Sequence, residues 1–377
     1  MLQKAPELPN LVQTREAFAS LVQELRNEPR IAVDTESNSL HAYRERVCLM
    51  QFSTPQCDYV LDTIAVEDVD ALGMVLADPR IEKVFHAAEY DILCLRRDYG
   101  FAFASIFDTM HAGRILGRKM AGLDRLIDEK FGIKVNKRLQ KANWGARPLS
   151  PELLQYAAQD THYLLRLRDL LEAELNERGL LELAQEDFVM ACNHHNDNKG
   201  RAESPAWARF SSRRDLAPQE LTILKELLEW REVLAARLDR PPFKVLSDEK
   251  LIAIARTKPS KPDELAAIEL GEKALRQWGN DLLIAVARGL NGPLVRKTQP
   301  PSPTGEYLKR LEGLKEWRKK VAAGMQVESD VVLPRGLLLA LADRGPQDMV
   351  AIMMSSPWRL RRFGAQISAV LQSVPSN

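Results

Sequence analysis

No run of apolar residues in this 377-residue sequence approaches the roughly 18 needed to cross a bilayer, so no membrane partner is expected. The opening MLQKAPELPN has neither a basic segment nor an apolar one, and no cleaved leader is expected. The four cysteines, Cys48, Cys57, Cys94 and Cys192, form no CxxC pair. That excludes the usual zinc spacing and a disulfide frame, and leaves reduced thiols in a cytoplasmic protein. Cys48 and Cys94 sit among apolar residues and are expected to be small core side chains. Glycine (19) and proline (21) show no repeat bias that would signal a fibrous or low-complexity chain. Net charge is nearly absent too, at +1, but its distribution is uneven. Residues 1–200 sum to −7 and residues 201–377 to +8, which suggests a cation-binding half joined to a polyanion-binding half.

What is present in the first 200 residues alternates between two periods. REAFASLVQELRNE (15–28) spaces its apolar residues as a helix does. IAVDTES (31–37), VCLMQFST (47–54), DYVLDT (58–63) and EKVF (82–85) read as strands, and a helical stretch runs from Glu89 to Asp98. The first three strands are close enough in sequence to pair antiparallel, so the expectation is a mixed central sheet flanked by helices. NHHNDNKGRAESP (193–205) then reads as a linker in which His194 and His195 are solvated, and the chain beyond it is helical in period. A proline-rich spacer, NGPLVRKTQPPSPTG (291–305), divides that helical half into two segments that resemble each other. At an offset of 87, Trp230-Arg231 falls on Trp317-Arg318, Leu246 on Leu333, Leu251 on Leu338 and Pro259 on Pro346. At an offset of 85, RQWGNDLLIAV matches RRFGAQISAV. The reading is a duplicated small helical unit whose tryptophans are core anchors. The expected division is residues 1–200, 204–295 and 300–377.

The chemistry lies in the first segment. Asp34 and Glu36 stand two apart on a strand, so period-2 geometry turns both carboxylates to one face and Val33 and Thr35 to the other. Two acids on one strand face repel and resist burial, and a bound divalent cation reverses that penalty. Asp91, in VFHAAEYDILCLRRDYG (84–100), opens a helix just after a strand. In SPELLQYAAQD, Ser150 caps a helix that starts at Pro151, and Tyr156 and Asp160 fall at i and i+4 on one face beside an apolar stripe. Between these segments, Lys130, Lys134, Lys137, Arg138, Lys141 and Arg147 form a basic stretch without an acid, suited to phosphate contacts. His86, at a strand end, could touch a nucleotide or be structural.

VDTES, FHAAEYD and YAAQD, in that order, resemble the three exonuclease motifs of the DEDD superfamily, and the tyrosine four residues before the last aspartate matches its DEDDy branch. NWGARPLS (143–150) resembles the WxxRPL segment of the ribonuclease D family and of the related nuclear-exosome exonuclease. The duplicated unit resembles the helicase-and-RNase-D C-terminal (HRDC) domain. The resemblance implies a ribonuclease H-like α/β exonuclease fold followed by two all-α HRDC bundles. It implies two divalent ions, Mg²⁺ or Mn²⁺, on Asp34, Glu36, Asp91 and Asp160, a water oriented by Tyr156, and RNA contacts from Arg147, Lys137, Arg138, Lys141 and His86. The activity it implies is 3′→5′ trimming of structured RNA such as tRNA precursors, with release of 5′-mononucleotides. The alternatives are an exonuclease acting on DNA and a nuclease-dead RNA-binding scaffold. No protein partner is evident from the sequence.

Overall fold

In the computed structural model, residues 8–193, 205–213, 215–296 and 302–373 are described. Residues 194–204, which include His194, His195 and most of the first linker, lie outside them, as do residues 297–301 of the spacer. Among the described residues, six strands form one mixed sheet: β1 (Asn10–Val12), β2 (Arg30–Ser37), β3 (Val47–Ser53), β4 (Asp58–Asp62), β5 (Glu82–Phe85) and β6 (Ile106–Asp108), in the order β1-β4-β3-β2-β5-β6. β2, β3 and β4 pair antiparallel, as their short connections require, while β5 and β6 continue the sheet parallel to β2. β1 and β6 have three residues each, too few for an alternating pattern to register in the sequence.

Among the described residues, eight helices flank the sheet: α1 (Arg15–Asn27), α2 (Ala71–Ala77), α3 (Glu89–Tyr99), α4 (Thr109–Ile115), α5 (Leu123–Phe131), α6 (Pro151–His162), α7 (Leu164–Glu177) and α8 (Leu181–Asn193). The strands are apolar on both faces because both are covered. β3 is buried along its whole length, with Val47, Met50 and Phe52 in the core shared with α1 and α3, and Cys48 and Leu49 in the core under α6. Cys48 and Cys94 are both fully buried. Each buried aliphatic side chain contributes about 1.5–3 kcal/mol, which is why the sheet tolerates a few buried polar groups at its site.

Among the described residues, the helical half contains two runs of five α-helices in matching order. They are α9 (Pro218–Leu238), α10 (Pro242–Val245), α11 (Asp248–Thr257), α12 (Pro262–Ala266) and α13 (Glu272–Asn291), then α14 (Gly305–Met325), α15 (Ser329–Val332), α16 (Arg335–Arg344), α17 (Met349–Met353) and α18 (Pro357–Gln372). The duplication extends to single bonds. Buried Arg231 donates to the Leu246 carbonyl at 2.7 Å, and Arg318 donates to the Leu333 carbonyl at 2.9 Å. Trp230 meets Trp278 edge-on at 6.2 Å, and Trp317 meets Phe363 edge-on at 5.7 Å. α9 and α14 end at the same relative position on a left-handed residue, Asp239 or Gln326.

These pieces group into two compact units. The sheet and its helices form one unit together with everything described from Pro303 onward. The second unit contains the first helical run and the loop Asn38–Arg46 that follows β2. There the Tyr43 hydroxyl donates to Glu232 at 3.2 Å, and the Tyr43 backbone N–H donates to Asp239 at 3.1 Å.

In the first unit, the second helical run is bonded to α8. Arg359 is fully buried and pairs with Asp187 through two bonds of 2.7 and 3.0 Å. The Ser356 hydroxyl and the Trp358 backbone N–H both donate to Glu186, and Arg361 pairs with Glu182. Arg114 of α4 pairs with Glu328 and Asp330, and Val331 and Trp358 join the apolar cluster of Leu183, Ala184 and Phe188.

Candidate active site

The site is assembled by three segments, and local chemistry fixes each one. β2 carries Asp34 and Glu36 near its carboxyl end, where the strand order turns, the usual place for a ligand in an open α/β sheet. The alternation holds: Val33 and Thr35 face α3, and Val33 packs with Ile92 and Leu95. That orientation gives Thr35 a role unforeseen in the sequence, because its hydroxyl donates to Asp91 at 2.5 Å. Asp91 lies in the first turn of α3, which follows directly from β5. The turn between them places Ala87 at φ 64, a left-handed conformation that an alanine seldom adopts. Asp108 holds it there, its carboxylate accepting from the Ala87 and Ala88 N–H groups at 3.2 and 2.8 Å and from Met110 and His111 at the start of α4. The sequence signal for Asp108 was an aspartate directly ahead of a helix, in IFDTMH.

α6 supplies the third segment and begins as expected: the Ser150 side chain accepts from the Leu153 N–H at 3.2 Å, and Pro151 takes the first helical position. Leu154 and Ala157 pack on Cys48, Leu49 and Val60, while the Ser53 hydroxyl donates to Thr161 at 2.7 Å and His162 bonds Asp58 at 2.7 Å. These contacts set the rotation of the helix. Asp160 therefore points at Asp34 and Glu36, and one carboxylate oxygen from each of the three lies within 4.8 Å of the others. The Tyr156 ring stacks against the buried Trp144 of the NWGARPLS segment at 6.0 Å.

The electrostatics follow from this convergence. Burial, and then repulsion from Asp91, Asp160 and Glu36, pushes Asp34 well above the ordinary carboxylate range. Burial, with the charges of Asp160 and Asp91, pushes Glu36 up to about 9. Burial raises Asp91 to about 7 against the lowering effect of the Thr35 hydroxyl, and burial with the Asp91 charge raises Asp160 to about 7. Burial and the charges of Asp160, Glu36 and Asp34 also push the Tyr156 phenol up, so it stays protonated at neutral pH. Four acids from three segments thus share one electrostatic neighbourhood. An all-oxygen donor set of this kind fits a hard divalent cation, whose charge would relieve both the repulsion and the burial.

The basic residues are placed differently. Lys137 reaches the site, where its charge lowers Asp160, and its ammonium bonds Asp124 at 2.7 Å. Arg138 pairs with Glu152 on the surface, and Lys141 is exposed in the same loop. Arg147 is held within the fold, donating to buried Asp62 through bonds of 2.7 and 2.6 Å and to the carbonyls of Trp144, Ala146 and Cys48. Its guanidinium fastens the loop ahead of α6 to β3 and β4. His86 is half-buried and accepts from or donates to Thr109 at 2.9 Å; loss of solvent around the ring lowers its pKa to about 4, so the ring is neutral.

Comparison with known proteins agrees with both halves. A family profile described as 3′-5′ exonuclease matches residues 9–176, and one described as HRDC domain matches residues 220–286 and 308–371. Ribonuclease D of Granulibacter bethesdensis is 30% identical over 378 residues, covering 96% of this chain and 92% of that protein. Exosome complex exonuclease RRP6 of Saccharomyces cerevisiae is 33% identical over 67% of this chain, which spans only 36% of that relative's length. The crystal structure of Escherichia coli RNase D shares the fold with a TM-score of 0.70 at 24% identity, over 98% of this chain and 100% of that one. Among the described residues, no helix is long and apolar enough to cross a membrane.

Proposed function

Because the chain belongs to the ribonuclease D family, we propose that it is a metal-dependent 3′→5′ exoribonuclease that trims structured RNA such as tRNA precursors in the cytoplasm. One observation supports this above the others: the carboxylates of Asp34, Glu36 and Asp160 converge at a half-buried site beside buried Asp91, where the four charges oppose one another. In this reading the three domains are an exonuclease (1–200) and two HRDC units (204–295 and 300–377).

Asp34, Glu36, Asp91 and Asp160 would hold two divalent ions, Mg²⁺ or Mn²⁺. Such ions, when bound, supply the charge that lowers the pKa of an attacking water and stabilises the leaving 3′ oxygen. Thr35 keeps Asp91 aimed at the site through its hydroxyl. Tyr156 stays a neutral phenol, so it orients the water as a hydrogen-bonding partner and leaves proton removal to other groups. Trp144 fixes the Tyr156 ring by stacking. Lys137 is the basic-loop residue best placed to meet a phosphate, because its charge already reaches Asp160. Arg147 holds the loop through Asp62 and leaves the phosphate to others.

The test is a 5′-labelled RNA oligomer and its DNA counterpart, each incubated with Mg²⁺, Mn²⁺ or excess chelator. The expected product is a ladder shortening from the 3′ end on RNA, abolished by chelator. Equal degradation of DNA would move the assignment to a DNA-directed exonuclease. Absence of any metal-dependent cleavage would leave an RNA-binding scaffold.

A further inference from the structure

Beside the acid cluster lies a buried polar side chain that the proposed chemistry leaves without a task. Gln51 stands in the middle of β3 and is fully buried. Among the described residues it is the one side chain with two polar atoms, Oε1 and Nε2, both buried and both without a hydrogen-bond partner. An unbonded buried amide destabilises a fold, and an apolar side chain of the same length would avoid that loss. An amide in this condition marks strain, an ordered water or a site that gains its partner on binding. Its neighbours decide among these.

The register of the sheet identifies them. The residue directly opposite Gln51 on β2 is Asp34, and on β4 it is Val60. Directly opposed residues on antiparallel strands share a face and hold their Cβ atoms about 4.5–5.5 Å apart. A glutamine amide reaches across that spacing to an aspartate carboxylate. Along β3, the same face carries Leu49, packed under α6, and Ser53, whose hydroxyl is already engaged with Thr161 of α6. Gln51 therefore faces α6 in a layer closed to solvent, with apolar Leu49 and Val60 on two sides and Asp34 on a third. Asp34 receives the Thr35 backbone N–H and, among the described residues, no side-chain donor, whereas Asp91 has the Thr35 hydroxyl. A carboxylate that ligates a metal depends on such a donor for its orientation, and loss of the donor typically weakens metal binding by about 10–100-fold.

We infer that Gln51 is a positioning residue for the metal site: when Asp34 ligates a divalent ion, the Gln51 Nε2–H donates to the Asp34 carboxylate and fixes its orientation. The inference rests on the metal-site reading of Asp34, Glu36, Asp91 and Asp160. Gln51 and Thr35 then have parallel tasks, each steadying one acid. The unbonded amide of the metal-free chain is stability given up for a ligand held ready.

The experiment compares the full chain with Gln51→Met, which keeps the length of the side chain and removes the amide. Mn²⁺ affinity is measured without RNA, from the paramagnetic resonance signal of the free ion, and melting temperature is measured in chelator. Gln51→Met should melt about 2–4 °C higher than the parent in chelator, because the unbonded amide is gone. Its Mn²⁺ affinity should nevertheless be about 10–100-fold weaker. At a fixed subsaturating Mn²⁺ concentration kcat should fall, with KM for RNA little changed. Asp34→Asn supplies the second arm. Because Gln51 acts through Asp34, Gln51→Met should add little further loss of Mn²⁺ affinity in the Asp34→Asn background, whereas independent effects would multiply. Gln51→Asn keeps an amide but holds it one methylene short of Asp34. It should also weaken Mn²⁺ binding, and it carries the test if the methionine variant does not fold. Unchanged Mn²⁺ affinity in the Gln51 variants, whatever their melting temperature, makes Gln51 a structural amide and overturns the inference. A loss of affinity that is undiminished in the Asp34→Asn background overturns it as well. A parent that binds no Mn²⁺, or binds it no better than Asp34→Asn does, overturns the metal-site reading itself and the inference with it.

Discussion

Two clusters of acids in the same compact unit behave in opposite ways. Glu182, Glu186 and Asp187 lie along α8, and the chain answers each of them with a cation or an N–H or O–H donor from the second helical run. Asp34, Glu36, Asp91 and Asp160 crowd one another, and the Thr35 hydroxyl, the backbone N–H groups of Thr35 and Asp91 and the charge of Lys137 do not offset burial and mutual repulsion, so their pKa values climb. The first cluster is a fastening, complete within the fold. The second is a set of acids whose counter-charge has to come from outside the polypeptide. Acid clustering alone does not separate the two; the location of the opposing charge does.

The sharpest way to break the comparison is Asp34→Asn. In the site cluster it removes an anionic metal ligand with little change of shape, so turnover on RNA should fall by orders of magnitude. In chelator near neutral pH the same variant should be more stable than the parent, because an amide needs no proton where burial and the neighbouring acids keep Asp34 protonated in the folded state although the unfolded chain has released that proton. Near-parent kcat would falsify the metal-ligand role of Asp34.

Arg359→Ala is the corresponding break in the α8 cluster. It leaves Asp187 facing an apolar contact with its buried partner removed, at an expected loss of about 3–5 kcal/mol in denaturant unfolding. Additional removal of the acid, in Arg359→Ala/Asp187→Ala, should recover part of that loss. A single-variant loss below about 1 kcal/mol would show the pair to be an ordinary surface bridge.

Tyr156→Phe sharpens the site side. Deleting one positioning hydroxyl at an activated centre costs about 2.7–4 kcal/mol, so kcat should drop roughly a hundredfold or more with KM little changed. An effect confined to KM would make Tyr156 a substrate-binding residue.

The smallest effect is a pH dependence of stability. In the metal-free chain the site acids have raised pKa values, with Glu36 at about 9, so the folded state keeps protons that the unfolded state has already released above pH 4–5. Their stabilising contribution is complete at low pH and is lost as pH rises toward 9. The melting temperature in chelator should therefore fall between pH 6 and pH 9, and saturating Mn²⁺ should flatten the profile. A chelator profile parallel to the metal profile would remove the site from the account of stability.

Much of this was legible in the sequence, for identifiable reasons. β2 to β5 announced themselves through apolar runs, and α6 through Ser150-Pro151, because these signals are local. The pairing of Trp230-Arg231 with Trp317-Arg318 was legible because duplication preserves spacing. Arg147 was read as a phosphate contact, and nothing near it in the chain could reveal that Asp62, 85 residues earlier, holds it. Thr35 and Asp108 escaped notice for the same reason: each acts through a hydrogen bond to another strand or helix. The arginines of the second helical run counted as free basic surface until α8 appeared opposite them. Charge in a sequence is visible, while its neutralisation by a distant residue is not.

The fastening of α8 to α18 also sets an order of events during synthesis. α8 leaves the ribosome long before Ser356, Arg359 and Arg361 exist, and at roughly 5–20 residues per second the delay is about 10–30 s. Throughout that interval Leu183, Ala184 and Phe188 lack their packing against Val331 and Trp358. Glu182, Glu186 and Asp187, interleaved with those apolar residues, stay hydrated and act as gatekeepers against association between nascent chains. A chain ended after the first helical run would remain in that half-made condition permanently, with an aggregation tendency unrelated to any loss of RNA binding.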